Sequence, residues 1–264
     1  MPFLETTDAL GRPVVLDRPP RRIVSLVPSQ TELLAALGLD EEVVGLTRFC
    51  VHPGGWKARK QIVGGTKNLR LDRLAALRPD LVLANREENE RAQVEAVAAS
   101  GAPVYVTDVA TVDDALAMIR SVGRLVDRAA RAEALAGEIE AGFDALGAAE
   151  PVRAAYFIWR RPWMTTGGDT FIHDVMRRAG LANVFGERTR YPGVTPEEVA
   201  AARPDVLLLS SEPYPFKEAH AAELEAATGV PAVLVDGEPF SWYGSRMRLA
   251  PPYLQALRDR LVVA

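Results

Sequence analysis

The sequence predicts an α/β fold of two doubly wound lobes joined by one long rigid helix, with a ligand cleft between the lobes. Residues 74–87 and 199–212 align without gaps at a constant offset of 125 residues (199 minus 74). In both halves, short apolar runs alternate with segments of helical periodicity, a pattern typical of parallel sheets covered on both faces. A proline-free stretch of helical periodicity separates the two halves.

Length and composition agree with a two-lobed globular protein. The chain has 264 residues, of which 48% are hydrophobic and 25% charged, so each lobe has enough residues to bury a core. The net charge of −4 comes from 31 basic and 35 acidic residues that are evenly mixed. This mixture creates no positive field for nucleic acid, so DNA and RNA are not expected as partners.

Targeting signals and cysteine usage give less information. Cys50 is the single cysteine, which excludes an internal disulfide. No stretch approaches the roughly 20 apolar residues that cross a bilayer. The first residues lack the basic and apolar regions of a secretory signal. The sequence as it stands therefore suggests a cytoplasmic protein, or a periplasmic or cell-surface protein if a leader was removed.

The N-terminal lobe is expected over residues 20–110 and the C-terminal lobe over residues 149–264. Each contains an apolar strand, an Arg-Pro-Asp turn and a polar loop after the strand. Residues 37–49 resemble residues 179–191, and residues 101–108 resemble 229–237, so the lobes are predicted to be duplicates. In the first lobe, strands are predicted at 22–27, 43–46, 80–84 and 103–106, with helices at 29–38, capped by Ser29, and from about residue 90. In the second lobe, strands are predicted at 153–158, 205–210 and 232–235.

The linking helix is expected over residues 111–148. Thr111 is a suitable N-cap, and Asp113 and Asp114 fall in the first turn, where the helix dipole favours acidic residues. A helix of about 36 residues would be roughly 54 Å long and would hold the lobes at a nearly fixed separation. The alternative is two helices broken near Gly123 or Gly137, because glycine destabilises a helix interior.

Candidate ligand-binding residues lie in the loops that follow the predicted strands, where open parallel sheets bind ligands. All four tryptophans of the chain fall in these loops. Large aromatics there indicate a pocket wall for a broad apolar or planar ligand, and arginines among them suit a polar rim. The alternative is that the aromatics pack inward at lobe contacts. The predicted ligand-binding residues are Arg48, Phe49, Trp56, Arg86, Trp159, Trp163, Phe216, Phe240, Trp242, Tyr243 and Arg246.

A second hypothesis concerns Cys50 and His52, a thiol and an imidazole two residues apart that suit a soft or borderline metal. A buried structural cysteine with a turn-stabilising histidine is the alternative. In a different functional class, the chain would be a cytosolic metal or cofactor-handling protein, or an enzyme, that uses this pair with Glu87 or Glu212. Hydrolase, P-loop and dinucleotide-binding motifs are absent from the sequence, which favours a binding protein over an enzyme.

Several segments together resemble a known family. The run DALGRPVVLDRPPRRIVSLVPSQTELLAALG, followed by GGTKN and LRPDLVLA, resembles the start of the helical-backbone substrate-binding proteins of bacterial ABC importers. The segments FCVHP, ANREEN, YFIWRRPWM, DTFI, SSEPYPFK and GEPFSWYGSR are similar to the subgroup of helical-backbone metal receptors, or cobalamin-binding-like proteins. This resemblance covers nearly the whole chain.

The resemblance implies a transport function. The ligand would be a metal chelate, namely a cobalamin-like corrinoid, haem or a ferric siderophore, and no further cofactor would be required. Family members are monomers that dock on a permease through an acidic residue on each lobe, and Glu90 and Glu197 are the matching candidates here. Importer-bound relatives normally have a secretory leader.

Overall fold

The computed structural model describes residues 1–147 and 150–263, which form two compact units. The first unit contains Met1–Val109, Asp114–Glu138 and Tyr243–Arg246. The second contains Ala110–Asp113, the described residues of 139–242 and those from Met247 onward. The lobe boundaries that the sequence predicts, at residues 110 and 149, stay a prediction.

The first unit is built on a five-stranded parallel sheet. Its strands run in the order β5-β4-β3-β8-β9, so the chain winds outward in both directions from the central pair β3 and β8. Helix α1 begins at Pro28, and Val27 is its N-cap, so the expected side-chain cap at Ser29 is not formed. The elements are β1 Leu4–Thr7, β2 Pro13–Leu16, β3 Ile23–Ser25, α1 Pro28–Ala36, β4 Val43–Leu46, α2 Trp56–Arg59, β5 Gln61–Ile62, β6 Gly64–Gly65, β7 Asn68–Leu69, α3 Leu71–Ala76, β8 Leu81–Asn85, α4 Arg91–Ala99, β9 Val104–Thr107, α5 Val112–Leu125 and α6 Ala129–Asp144, of which α5 and α6 each include residues of both units.

The second unit has a mixed sheet of six strands. Strands β12, β10, β14 and β15 are parallel, β11 runs antiparallel beside the second half of β10, and β13 pairs antiparallel with β11 at the edge of the sheet. The sequence did not predict β11 or β13, because strands of two or three residues are too short to show a period. The elements are β10 Val152–Trp159, β11 Trp163–Thr165, α7 Phe171–Arg178, β12 Leu181–Asn183, β13 Gly193–Val194, α8 Pro196–Ala202, β14 Val206–Ser210, α9 Glu218–Thr228, β15 Ala232–Val235, α10 Glu238–Ser241, a 3₁₀ turn Ser245–Leu249 whose first two residues belong to the first unit, and α11 Ala250–Val263.

Equivalent contacts in the two units confirm the duplication. Asp80 accepts a hydrogen bond of 2.8 Å from the backbone N–H of Arg22, whose Nε donates to the carbonyl of Leu77 at the end of α3. In the second unit, Asp205 accepts 2.8 Å from the N–H of Arg153, whose Nε donates to the carbonyl of Arg203 at the end of α8. Each Arg-Pro-Asp turn thereby joins the end of a helix to the start of the central strand, β3 or β10. The side chains of Arg22 and Arg153 donate to carbonyls that the helix terminus leaves unpaired.

The linking segment contains two helices rather than one continuous helix. It is interrupted between α5 and α6 at Asp127, whose φ of 57° is left-handed. The N–H of Arg128 turns back to the carbonyl of Gly123 at 2.7 Å, and a Cβ on Gly123 would lie 2.2 Å from the Cβ of Ala132. Gly123 therefore lets α5 lie directly against α6. The two-helix alternative describes this segment correctly, while Gly137 lies inside α6.

Asp174 in α7 holds the start of α5 within the second unit. Its Oδ2 accepts 2.9 Å from the N–H of Val112, and its Oδ1 accepts 2.6 Å from Arg177. Burial would raise the pKa of Asp174, but the Val112 N–H and the guanidinium groups of Arg177 and Arg178 outweigh it and lower the pKa. The ionised carboxylate is therefore the form that the fold stabilises.

Replacing Asp174 with asparagine is expected to lower the free energy of unfolding by about 1 kcal/mol near pH 7, because the amide keeps an acceptor for Val112 and loses the charge. A carboxyl with a lowered folded pKa contributes stability above its unfolded pKa of about 3.9 and loses it as the pH falls through the folded pKa. Urea unfolding of both proteins should show the difference shrinking below about pH 4. The control is Asp113→Asn, since the exposed Asp113 also pairs with Arg178 and exposed pairs contribute little. A difference that is the same at neutral and acid pH would contradict the assignment.

No helix among the described residues is both long enough and apolar enough to cross a membrane.

Candidate functional site

An aromatic cluster lies in and beside the loops that follow β10 and β14 of the second unit. We define it as Trp159, Trp163, Tyr214, Phe216 and His220. Trp163 and Phe216 are stacked with ring centroids 5.9 Å apart and planes 3° apart. Trp159 meets Tyr214 edge to face at 5.6 Å, and Tyr214 contacts Phe216 at 4.8 Å. These distances are those of favourable aromatic pairs, so the rings support each other as one unit.

The cluster presents part of its surface to solvent through Trp159. This side chain is 41% exposed, whereas Phe216 is only 7% exposed and forms the inner wall. Trp163 is half-buried between Phe216 and the ring of Phe157. An indole held from below by other rings and open above can stack on a flat ligand without losing much side-chain freedom on binding.

Arg160 provides positive charge beside the cluster. Its guanidinium carbon lies 5.7 Å from the centroid of the Trp163 ring, and its side chain forms an ion pair with Glu223. A guanidinium above an aromatic face is attracted by the ring quadrupole. The arrangement sets a hydrogen-bond donor next to the apolar rings.

Trp242, the C-cap of the short helix α10 that follows β15, is held by a carboxylate from the loop after β14. Its indole Nε1 donates to Oε1 of Glu212 at 2.7 Å, and the hydroxyl of Ser241 donates to the same oxygen at 2.6 Å. Burial raises the pKa of Glu212, the two hydrogen bonds oppose that rise, and the nearby charges of Glu238 and Asp236 add to it. The net result is a pKa above the ordinary range for glutamate.

The loops after β14 and β15 approach closely because of Gly237. A Cβ on this residue would lie 2.3 Å from the hydroxyl of Ser210 and 2.6 Å from Cγ of Glu212. The same hydroxyl accepts 2.9 Å from the buried Tyr156 and donates 2.6 Å to the carbonyl of Glu212. The position of Glu212 is thus fixed through Ser210 to the sheet.

Four of the predicted aromatics are buried, namely Trp56, Phe216, Phe240 and Tyr243. Phe240 is fully buried in the second unit and packs 4.8 Å from the ring of Tyr156. Tyr243, which belongs to the first unit, is 7% exposed. Their burial agrees with the alternative that some loop aromatics pack inward.

The predicted residues of the first unit divide in the same way. Arg48 and Phe49 are exposed after β4, with the guanidinium carbon 5.0 Å from the ring centroid. Arg86 is exposed and pairs with Asp108 at 2.8 Å. In contrast, Trp56 is 3% exposed, with Nζ of Lys60 5.4 Å from its ring. Arg48 and Phe49 are thus accessible, whereas Trp56 supports its own loop.

Arg246 forms a bidentate pair within the first unit. Its Nε and Nη2 donate to the two carboxylate oxygens of Glu32 in α1 at 2.8 and 2.9 Å. Both side chains are half-buried. A fork of this kind is strong and geometrically specific, so any ligand group that contacts Arg246 shares it with Glu32.

Cys50 is in the core of the first unit. It is fully buried, with Thr31 and Thr47 hydroxyls 3.1 and 3.3 Å from its sulfur. Burial raises the pKa of the thiol, and the threonine hydrogen bonds only partly oppose it. In the part of the chain that the structure describes, no group of three or more Cys, His, Asp or Glu side chains is arranged to hold a metal ion. His52 is half-buried two residues away.

The acidic residues expected at a transporter interface begin different elements. Glu90 is the N-cap of α4, and Glu197 is the second residue of α8. Helix α8 is the duplicate of α3, and the offset of 125 residues (197 minus 72) makes Asp72 the sequence equivalent of Glu197. Asp72 is exposed in the first turn of α3. Sequence reasoning missed Asp72, although the repeat offset it had found leads to this residue.

A cavity of about 260 Å³ lies elsewhere in the first unit, between β2 and the loop before β9. Its charged lining residue, Arg12, is held by Asp8 at 2.7 Å. None of the sequence-predicted ligand residues lines it.

The fold and the site define a class. Two α/β units with equivalent turns and strands, and a cluster of aromatic side chains at the strand ends of the second unit, are typical of a two-lobed binding protein. The chain belongs to the periplasmic binding protein family, whose model matches residues 23–235. The family resemblance and the α/β fold class predicted from the sequence are confirmed.

Individual relatives agree with this membership. A vitamin B12-binding protein of Pectobacterium atrosepticum is 28% identical over 241 residues, which cover 88% of this chain and 86% of that protein. A periplasmic heme-binding protein in complex with two hemes is 28% identical, with a TM-score of 0.78 over 91% of this chain and 97% of that one. A periplasmic vitamin B12-binding protein of Vibrio cholerae has the same fold, with a TM-score of 0.79 at 20% identity over 93% of this chain and 99% of that one.

Proposed function

We propose that the chain is a substrate-binding protein for ABC-type transport and that its ligand is a large planar metal chelate, namely a cobalamin-like corrinoid, haem or a ferric siderophore. The observation that carries the proposal is the aromatic cluster, in which the exposed Trp159 packs edge to face on Tyr214, and Tyr214 in turn contacts Phe216. The similar proteins are named for vitamin B12 and heme, which are both large, ring-shaped metal chelates.

Within this proposal, the exposed and half-buried candidates contact the ligand. Trp159, Trp163 and Trp242 pack against its flat face, and arginines bind its polar rim. Phe216, Phe240, Tyr243 and Trp56 act from beneath, since they are almost fully buried. Arg48, Arg86 and Arg246 stay predictions for the rim, and Phe49 stays a prediction for packing against the ligand.

The alternative, a metal-handling protein or enzyme that uses Cys50 and His52, is not supported. The family consists of binding proteins, and the thiol of Cys50 is buried and its raised pKa keeps it protonated. A protonated thiol is a poor ligand and a poor nucleophile.

For transporter docking, we propose Asp72 together with Glu197, since they occupy equivalent helix starts in the duplicated units. Glu90 stays a candidate from the sequence. Glu197, together with either Asp72 or Glu90, would form ion pairs with basic residues of a permease. The protein is proposed to act as a monomer.

Titration of the purified protein with cyanocobalamin and, separately, with hemin tests the binding proposal. With one of the two probes, the heat of binding and the quenching of tryptophan fluorescence should both reach saturation. Trp159→Ala should weaken that binding by about tenfold or more, since an aromatic contact of this kind is worth about 1.4 kcal/mol or more with its buried area. Trp159→Phe should lose less, and Leu249→Ala, another exposed apolar side chain, should match the unmodified protein. Absence of saturable binding with both probes and with ferric siderophores would refute the proposed function.

A further inference from the structure

One oxygen of Glu212 serves two donors. Oε1 accepts from the Ser241 hydroxyl at 2.6 Å and from the Trp242 indole at 2.7 Å. The indole has a single N–H, which points along the ring plane. The direction of that bond therefore constrains the plane of the Trp242 ring.

The carboxylate itself is anchored by the turn that leads to it. The N–H of Glu212 donates 3.2 Å to the hydroxyl of Ser210, which donates back to the Glu212 carbonyl. The duplicated unit has the same turn, since the N–H of Glu87 donates 2.9 Å to the side chain of Asn85. The turn thus belongs to the shared fold, while the bond to an indole is a feature of the second unit.

The half-buried position strengthens this bond. A carboxylate acceptor makes a shorter and stronger hydrogen bond than a neutral group, and partial removal from water increases the effect. Glutamine at position 212 would offer a carbonyl oxygen in nearly the same place. Aspartate would keep the charge but withdraw it by one methylene group.

We propose that Glu212 is a positioning residue that fixes the indole plane of Trp242 for stacking on a planar ligand. This inference rests on the proposed function, because it gives the fixed indole a flat metal chelate to contact. Positioning Trp242 is a different role from that of a metal ligand or a proton-transfer group.

The first test needs no ligand. Protein labelled with ¹⁵N in the tryptophan indoles should show one signal for each of Trp56, Trp159, Trp163 and Trp242, and Trp242→Phe identifies the last. In Glu212→Ala and Glu212→Asp, the Trp242 indole proton should move upfield, and its exchange with water should rise by about tenfold or more as the bond is lost. Glu212→Gln should stay close to the unmodified protein. Glu218→Ala, which removes an exposed carboxylate at the start of α9, is the matched control.

The second test adds cyanocobalamin and hemin to the same proteins. Glu212→Ala and Glu212→Asp should bind the probe about tenfold more weakly, and Glu212→Gln should restore most of the affinity. An unchanged Trp242 signal in both Glu212→Ala and Glu212→Asp overturns the positioning role, as does a changed signal with unchanged affinity. Equal loss of affinity in the glutamine variant with an unchanged Trp242 signal also overturns it, because the charge would then act on the ligand directly. If the unmodified protein binds neither probe and no ferric siderophore, the proposed function fails, and the indole signals alone decide whether Glu212 fixes Trp242.

Discussion

Replacing Gly123 with alanine is expected to lower the free energy of unfolding by about 1 to 3 kcal/mol, the usual cost of overpacking a core. The added Cβ would lie 2.2 Å from the Cβ of Ala132, far inside van der Waals contact, so α5 and α6 must separate. Because both residues are fully or almost fully buried, no side chain can swing into solvent to relieve the clash. Urea unfolding followed by circular dichroism measures the loss.

Two further variants make this result specific. Gly137 lies inside α6 with nothing within 4 Å of a built Cβ, so Gly137→Ala should stabilise the protein by up to about 1 kcal/mol through helix propensity alone. Adding Ala132→Gly to Gly123→Ala returns the missing space and should recover part of the stability, a coupling that a double-mutant cycle measures. If Gly123→Ala behaves like Gly137→Ala, the close packing of the two helices is wrong.

The repeat was the most informative feature of the sequence. An offset of 125 residues fixes not only the strands β8 and β14 but also details of the turn before them. Arg78 and Arg203, at equivalent positions, have left-handed φ values of 44° and 49°, and Asp80 and Asp205 accept equivalent backbone hydrogen bonds. The two copies of the sequence adopt the same backbone conformation because the same steric limits and hydrogen-bond requirements apply to both.

The interruption of the linking helix shows where the sequence was insufficient. One continuous helix was predicted, with a break near a glycine as the alternative, but the left-handed residue at the break is Asp127, and Gly123 lies inside α5. Gly123 serves close packing instead. Helical periodicity reports which face is buried, and it carries no information on whether the neighbouring helix lies within contact distance.

The candidate site shows a second limit. The ligand-binding role of the predicted aromatics stays a prediction, and their exposure ranges from 41% for Trp159 to 0% for Phe240. Residues outside long helices and strands follow no hydrophobic period, so the sequence cannot report which of their side chains are buried against the core. The bond between Trp242 and Glu212 joins residues 30 positions apart and depends on strands β14 and β15 being neighbours in the sheet.

Because β14 and β15 are neighbours in the sheet, the loops that follow them meet at Gly237. Gly237→Ala is expected to lower the free energy of unfolding by about 1 to 3 kcal/mol and to displace Glu212 from Trp242. The built Cβ would meet the hydroxyl of Ser210 at 2.3 Å and Cγ of Glu212 at 2.6 Å. Ser210 cannot retreat without breaking its bond to the buried Tyr156, so the loop after β14 must move.

Gly193 provides the control for this variant. It lies in β13 of the same unit, and a built Cβ would approach Pro162 no closer than 3.8 Å, which is ordinary contact. Gly193→Ala should leave both the unfolding free energy and the Trp242 indole signal unchanged, while Gly237→Ala should change both. A Gly237→Ala protein with an unshifted indole signal would mean that the loop absorbs the methyl group without moving Glu212. Loss of the indole bond together with weaker probe binding would show that the approach of the two loops, made possible by a glycine, sets the geometry of the ligand-binding tryptophan.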